Sequence, residues 1–238
     1  YLPSGSKFGG AGKNFFRLIR DVDFSSFDFI SFVDQDDIWY EDKLIRAIKT
    51  IEDKQLDAYS SNVLAFWEDG KEMIINKSNS QARYDYLFEA AGPGCTYVLK
   101  KDLAIFLQNF IYDNWEEVNK VELHDWFIYA FARENNYKWH IDEKPSMRYR
   151  QHTSNQVGAN DGLKAKLKRL KKVFSSWYRE EIIKIIKVLR LENKYKVSKY
   201  ILNKSYLNNL LLLKYSFEFR RNKKEKLFLS LLILLGIF

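Results

Sequence analysis

Three carboxylates, Asp34, Asp36 and Asp37, follow the apolar run "FDFISFV" and precede the aromatic stretch "IWY". Acids this close repel one another, and a fold tolerates them best with a positive charge between them. Alternate residues of an extended segment point the same way, so Asp34 and Asp36 can face one ion. Hard oxygen ligands suit Mg²⁺ or Mn²⁺ shared with substrate phosphates. Such an ion offsets the charge of a diphosphate leaving group. A calcium loop would need a glycine and a later glutamate in a register that is missing here. An aspartate-nucleophile phosphatase also places D-x-D after an apolar strand, so that chemistry stays open. So does a purely structural role, in which Asp37, Glu41 and Asp42 cap the helix that follows.

Further along, Gly92, Pro93 and Gly94 form a loop in which backbone can approach a ligand closely, or an ordinary turn. His124 and Asp125 open the helical stretch "HDWFIYAFARENN". There Asp125 could cap the helix. His124 and His140 read as satisfied core or surface residues, with the wall of a binding site as the other role for His124. Cys95 reads as small packing filler, since nothing suggests a base beside it.

The elements around these residues alternate. Helical spacing at Phe15, Leu18, Ile19 and Val22 is followed by the buried strand "FDFISFV". A helix carrying Leu44, Ala47, Ile48 and Ile51 on one face comes next. The strand "DAYSSNVLAFW" then returns as a hairpin through Asp69-Gly70. The glycine loop leads into a short strand and a helix; after the "HDWF" helix, "YKWHID" and "MRYRQH" are short strands. This order predicts an α/β fold with a mostly parallel sheet flanked by helices, followed by a C-terminal helical tail. In an open sheet of that kind ligands bind beyond the carboxyl ends of the strands, where the acidic cluster sits.

The chain of 238 residues is 46% hydrophobic and 16% aromatic, enough for a sizeable core. Its single cysteine rules out an internal disulfide and any cysteine cluster for zinc or iron–sulfur, and fits the cytosol or its membrane face. Residues 161–238 hold 20 Lys/Arg against 6 Asp/Glu, a net of +14; residues 1–160 hold 19 against 25, a net of −6. Two units are expected on that basis: 1–160, an acidic globular body, and 161–238, a basic amphipathic tail. In the tail Leu163, Leu167, Leu170, Phe174 and Trp177 form one stripe flanked by lysines. Long apolar faces with basic flanks favour a membrane surface over nucleic acid. The apolar end "LFLSLLILLGIF" is 12 residues, short of the ~20 needed to span a bilayer. The opening "YLPSGSKFGG" reads as the interior of a longer chain with no signal peptide.

The stretch "VDQDDIWYEDKL" resembles the metal-site motif of family-two glycosyltransferases of the GT-A fold, closest to the bacterial rhamnosyltransferase-like branch that builds surface polysaccharides. "GPGCTYVLKKDL", "HDWF" and "YRQHTSNQVGA" resemble that group's glycine loop, catalytic acidic motif and C-terminal histidine motif, in the same order. The likeness runs from about Gly12 to Asn160. It lacks the family's first strand and its "DDGS"-like turn, which grip the nucleotide. The resemblance implies a metal-dependent inverting transferase. Asp34, Asp36 and His152 would serve the metal, Asp36 as direct ligand, and Asp125 would be the general base. Gly92, Pro93, Gly94, Trp39, His124 and Trp126 would border donor and acceptor, with core the other role for Trp126. It further implies a nucleotide-sugar donor, dTDP-L-rhamnose, a lipid-linked or glycan acceptor, and a peripheral place on the inner face of the bacterial plasma membrane. A non-catalytic, membrane-binding remnant of such an enzyme is the remaining alternative.

Overall fold

In the computed structural model, which describes residues 9–151 and 176–238, helix α1 (Ala11–Asp21) buries Gly12, Phe15, Phe16 and Ile19. This stripe is rotated from the expected one: Leu18 and Val22 are exposed. The cause is Gly12, where a Cβ would sit 2.1 Å from the Glu122 carbonyl oxygen. The backbone contact pulls that face of the helix inward. α2 (Lys43–Asp53) is shifted likewise, burying Lys43, Ala47 and Ile51 while Leu44 faces out.

The described strands form two four-stranded sheets. Three chain segments run from the first into the second: β1 (Phe29–Ser31) to β2 (Ile38–Trp39), β3 (Ala58–Ser61) to β4 (Val63–Phe66), and β7 (Trp139–Asp142) to β8 (Met147–Arg150). The predicted strand over 57–67 is therefore two strands, broken at Asn62. The Asn62 side chain donates to the Glu143 carbonyl (2.9 Å) and accepts from the Lys77 amide (2.6 Å), and Ser61 and Ser146 share a hydroxyl bond of 2.6 Å. The acidic residues occupy the first of these crossings, between β1 and β2.

A mostly parallel sheet was expected, and here the strands correct it: the pairing is mixed. β6 (Val98–Lys100) lies between β1 and β3 and is antiparallel to both, while β3 and β7 run parallel. In the second sheet β4 pairs parallel with β8 and antiparallel with β5 (Glu72–Ile75), through the expected Asp69-Gly70 turn. Parallel return requires a crossover of a dozen residues or more, usually a helix. Between β5 and β6 the chain holds only two 3₁₀ turns, Asp85–Leu87 and Gly94–Thr96, so it re-enters the sheet from the opposite end.

α3 (Lys101–Asp113), the short α4 (Trp115–Val118) and α5 (His124–Glu134) cover one side, with α5 almost wholly buried. The C-terminal helices α6 (Trp177–Val188), α7 (Lys196–Leu202), α8 (Tyr206–Leu212) and α9 (Lys223–Leu234) share the same core. Phe219 stacks on Phe88 at 4.0 Å, and burying each such ring contributes about 1.5–3 kcal/mol. Arg179, buried on α6, donates to the carbonyls of Tyr200, Ile201 and Phe238 and to Asn209 Oδ1. Of the expected tail stripe, Leu163, Leu167, Leu170 and Phe174 lie outside the described residues. Trp177 donates its indole N–H to Glu122 (2.9 Å). None of the described helices is long and apolar enough to cross a membrane.

Candidate active site

Between β1 and β2 the chain turns at Gln35-Asp36, with the Asp37 amide donating to the Asp34 carbonyl (3.4 Å). The turn replaces the extended geometry expected for this stretch. It brings Asp34 and Asp37 together, each with a carboxylate oxygen within 4.8 Å of the other and of Cys95 Sγ, with the Asp36 charge acting on both. Arg150 at the end of β8 holds the turn: its amide donates to Asp37 Oδ1 (3.1 Å) and its Nε to the Asp36 carbonyl (3.0 Å).

This crowding shifts the protonation equilibria. Burial pushes the Asp34 carboxyl above its usual range, and the neighbouring Asp36 charge adds to it. Burial also carries Asp37 up to about 6, with Asp34 and Asp36 pushing the same way and the Cys95 thiol and Arg150 amide opposing. Burial, reinforced by the two carboxylates, drives the Cys95 thiol well up. It therefore stays protonated, and the carboxylate oxygens are the anionic donors. Asp37 Oδ2 is buried with no hydrogen-bond partner among the described residues. A hard divalent cation would fit this set: it would satisfy the orphaned oxygen and relieve the mutual repulsion of the acids.

A residue that sequence reasoning missed lies beneath them. Lys43 is fully buried. Its ammonium donates to the Cys95 carbonyl (2.6 Å) and rests 3.3 Å from the centre of the Trp39 ring. Burial lowers it to about 7, while Cys95 and Asp37 oppose the shift. The one available signal was its place on the 43-47-51 face of α2. Trp39 thus acts as a partner for this cation, and its indole nitrogen is buried and unbonded among the described residues.

The stretch Gly92–Tyr97 connects the turn to the opposite wall. Cys95 touches the acids. The Tyr97 hydroxyl donates to the carbonyls of Gly92 (3.1 Å) and Asp125 (3.2 Å). Thr96 Oγ1 closes the loop on the Pro93 carbonyl (2.7 Å). Asp125 lies in the first turn of α5 but does not cap it, since Leu123 holds the cap position. Its Oδ1 accepts from the Trp126 amide (2.8 Å). Burial raises Asp125 to about 6; the Trp126 amide and Lys77 oppose this, and Asp34 adds to it. Asp34 and Asp125 are thus close enough for the charge of Asp34 to act on Asp125. The Tyr149 phenol on β8 lies in the field of Asp37, Asp34 and Asp125. Tyr149 and Lys77 are the other residues that sequence reasoning missed; neither carries a local pattern that marks it.

The aromatic neighbours of Asp125 face inward. Trp126 is 3% exposed, donates to the Tyr86 carbonyl (3.0 Å) and stacks on Tyr178, so it belongs to the core rather than to a binding wall. His124 is buried and stacked on Phe15 at 4.2 Å, and burial lowers it to about 3, keeping it neutral. His140 sits apart, beside Lys54. His152 lies outside the described residues.

Gly94 leaves room for His124: a Cβ there would stand 2.4 Å from its Nε2. Gly94→Ala is expected to cost about 1–3 kcal/mol, as overpacking does, read as a lowered urea midpoint. His124→Ala in the same chain should recover part of that loss. An unchanged midpoint for Gly94→Ala would mean that the ring moves freely.

No protein-family profile matches the chain. A curated protein does: the dTDP-rhamnosyl transferase RfbG of Shigella flexneri, 49% identical over 237 residues, spanning 100% of this chain and 81% of the relative. The phosphatase alternative for Asp34 gives way at that level of identity. A sequence this similar along its whole length, with Cys95 of the glycine loop beside the acidic turn and Tyr97 bonded to Asp125, belongs to the rhamnosyltransferase family of glycosyltransferases.

Proposed function

We propose that the chain is a metal-dependent inverting transferase of the GT-A type that moves L-rhamnose from dTDP-L-rhamnose to a growing cell-surface glycan on a lipid carrier. The relative's name supports the donor. One observation carries the mechanism: Asp125, raised to about 6, lies within the field of Asp34, and the Tyr97 hydroxyl ties its backbone carbonyl to the Gly92–Tyr97 loop. A carboxylate poised there can take the proton from an acceptor hydroxyl as that oxygen attacks the anomeric carbon, displacing the diphosphate in a single step. Asp34 and Asp37 would hold Mg²⁺ or Mn²⁺, with Asp36 and His152 as the further ligands that the family resemblance implies. When bound, the ion would neutralise charge developing on the departing diphosphate. Lys43 holds the Cys95 carbonyl and the Trp39 ring in place beneath the turn. The same reading places the enzyme at the inner face of the plasma membrane, where a lipid-linked acceptor is met.

The test is transfer from dTDP-L-rhamnose to a lipid-linked acceptor with and without chelator. EDTA is expected to abolish turnover and Mn²⁺ or Mg²⁺ to restore it. Asp34→Asn and Asp37→Asn should each weaken Mn²⁺ binding, measured by calorimetry, about 10–100-fold, the scale of losses at metal sites. Full activity in chelator would end the metal assignment while leaving the transferase assignment intact.

A further inference from the structure

We propose that the outward face of α9, with the adjoining start of α8, is the surface by which this protein lies on an anionic lipid bilayer. This rests on the membrane placement above and narrows it to named residues. α9 is apolar on both sides. Leu229, Leu232 and Ile233 are buried in the core, whereas Leu227, Phe228, Leu231, Leu234 and Leu235 are each 45–60% exposed. At 100° per residue the two sets lie on opposite faces. A helix apolar all round requires a covering on both sides, and the protein covers one.

The patch continues beyond the helix. The Tyr206 ring lies 3.4 Å from where a Cβ of Gly236 would stand, and Tyr206 and Leu207 are 57% and 73% exposed. At about 1.5 Å per residue the 12 residues of α9 extend only ~18 Å, well short of a ~30 Å hydrocarbon core, so the helix lies along the surface rather than crossing it.

Charge selects the occupant. Residues 203–238 hold seven Lys/Arg against Glu218 and Glu225, and Glu225 pairs with Arg220. Lys223 and Lys224, both exposed, stand at the start of α9, with Lys226 one turn on. A second copy would bring the same positive surplus to the contact and be repelled. Anionic headgroups complement the lysines while Leu and Phe enter the interfacial layer.

The experiment is co-sedimentation of the full chain with vesicles of phosphatidylglycerol and phosphatidylethanolamine, against phosphatidylcholine alone. Binding is expected to the anionic vesicles and to fall about 10-fold or more when salt is raised towards ~1 M, where the Debye length shrinks to ~3 Å. Lys223→Gln, Lys224→Gln and Lys226→Gln together should weaken it on the order of 100-fold, each lysine being worth about fivefold near such a surface. Leu227→Ser with Leu231→Ser should abolish it. Thermal midpoints of both variants should match the parent, since none of the replaced side chains is buried. Rhamnosyl transfer to a short water-soluble acceptor should also be unchanged. Absence of binding by the parent chain, or binding untouched by either variant, overturns the proposal. So does a concentration-dependent dimer that Leu231→Ser dissociates, which would assign the face to a second copy. Vesicle binding without any transfer would leave the surface standing and remove the transferase mechanism instead.

Discussion

Asp125→Asn is expected to reduce transfer about 10²–10⁴-fold, the range supplied by a positioned general base. Donor affinity should stay near that of the parent, because the lost group acts on the acceptor proton. The sign of the pH dependence follows from the raised pKa. A base with a pKa of about 6 is roughly nine-tenths ionised at pH 7 and mostly protonated at pH 5. The rate of the parent enzyme should therefore climb through pH 6 and level off above it. In Asp125→Asn that limb should be missing at the residual rate, and Asp125→Glu should retain a weakened version of it. A parent-like rate in Asp125→Asn would remove this carboxylate from the chemistry and leave it a structural place in the first turn of α5.

The largest expected loss of stability lies elsewhere, at Asp85. This carboxylate is completely buried, accepts from Arg133 (3.1 Å), Arg221 (2.8 Å) and the Tyr129 hydroxyl (2.9 Å), and faces two guanidinium groups. Arg221 also pairs with Glu89 and donates to the Ala90 carbonyl. Removing one member of such a buried set strands the others without compensation, at a cost of about 3–5 kcal/mol. Asp85→Ala should show this as a fall in the urea midpoint with a nearly constant slope. Because Arg221 belongs to the segment leading into α9, amide exchange there should accelerate in the same variant. A loss below ~1 kcal/mol, the scale of an exposed ion pair, would mean that water reaches the cluster.

Local pattern made much of this molecule readable. The strand before the acids, the Asp69-Gly70 hairpin, the glycine loop and the helix opening at His124 all appear where periodicity and turn chemistry put them. Three things escaped because they depend on partners distant in the chain. An extended D-x-D leaves Asp37 out of the set, but Arg150, more than a hundred residues away, holds a turn that brings Asp37 beside Asp34. Lys43 looks like one more solvated lysine until α2 is seen to turn that face inward under Trp39. Trp126, beside the proposed base, invites a role at the site; its indole N–H is taken by the Tyr86 carbonyl within the core. The parallel sheet failed for a related reason. Alternating helices and strands imply crossovers, and the stretch before β6 contains none.

The placement of β6 between β1 and β3 also bears on how the chain reaches this shape. Phe29 of β1 finds its ladder partner at Lys100, and Ala58 of β3 is flanked by Leu99 and Trp139. Neither early strand can close its backbone hydrogen bonds until residues some forty to eighty positions later have been synthesised. Pairings of such sequence separation slow folding and leave strand edges bare in the interval. During translation the apolar segments around Ile30 and Ala58 would leave the ribosome well before the strand that joins them, and holdase chaperones would find their longest-lived target there.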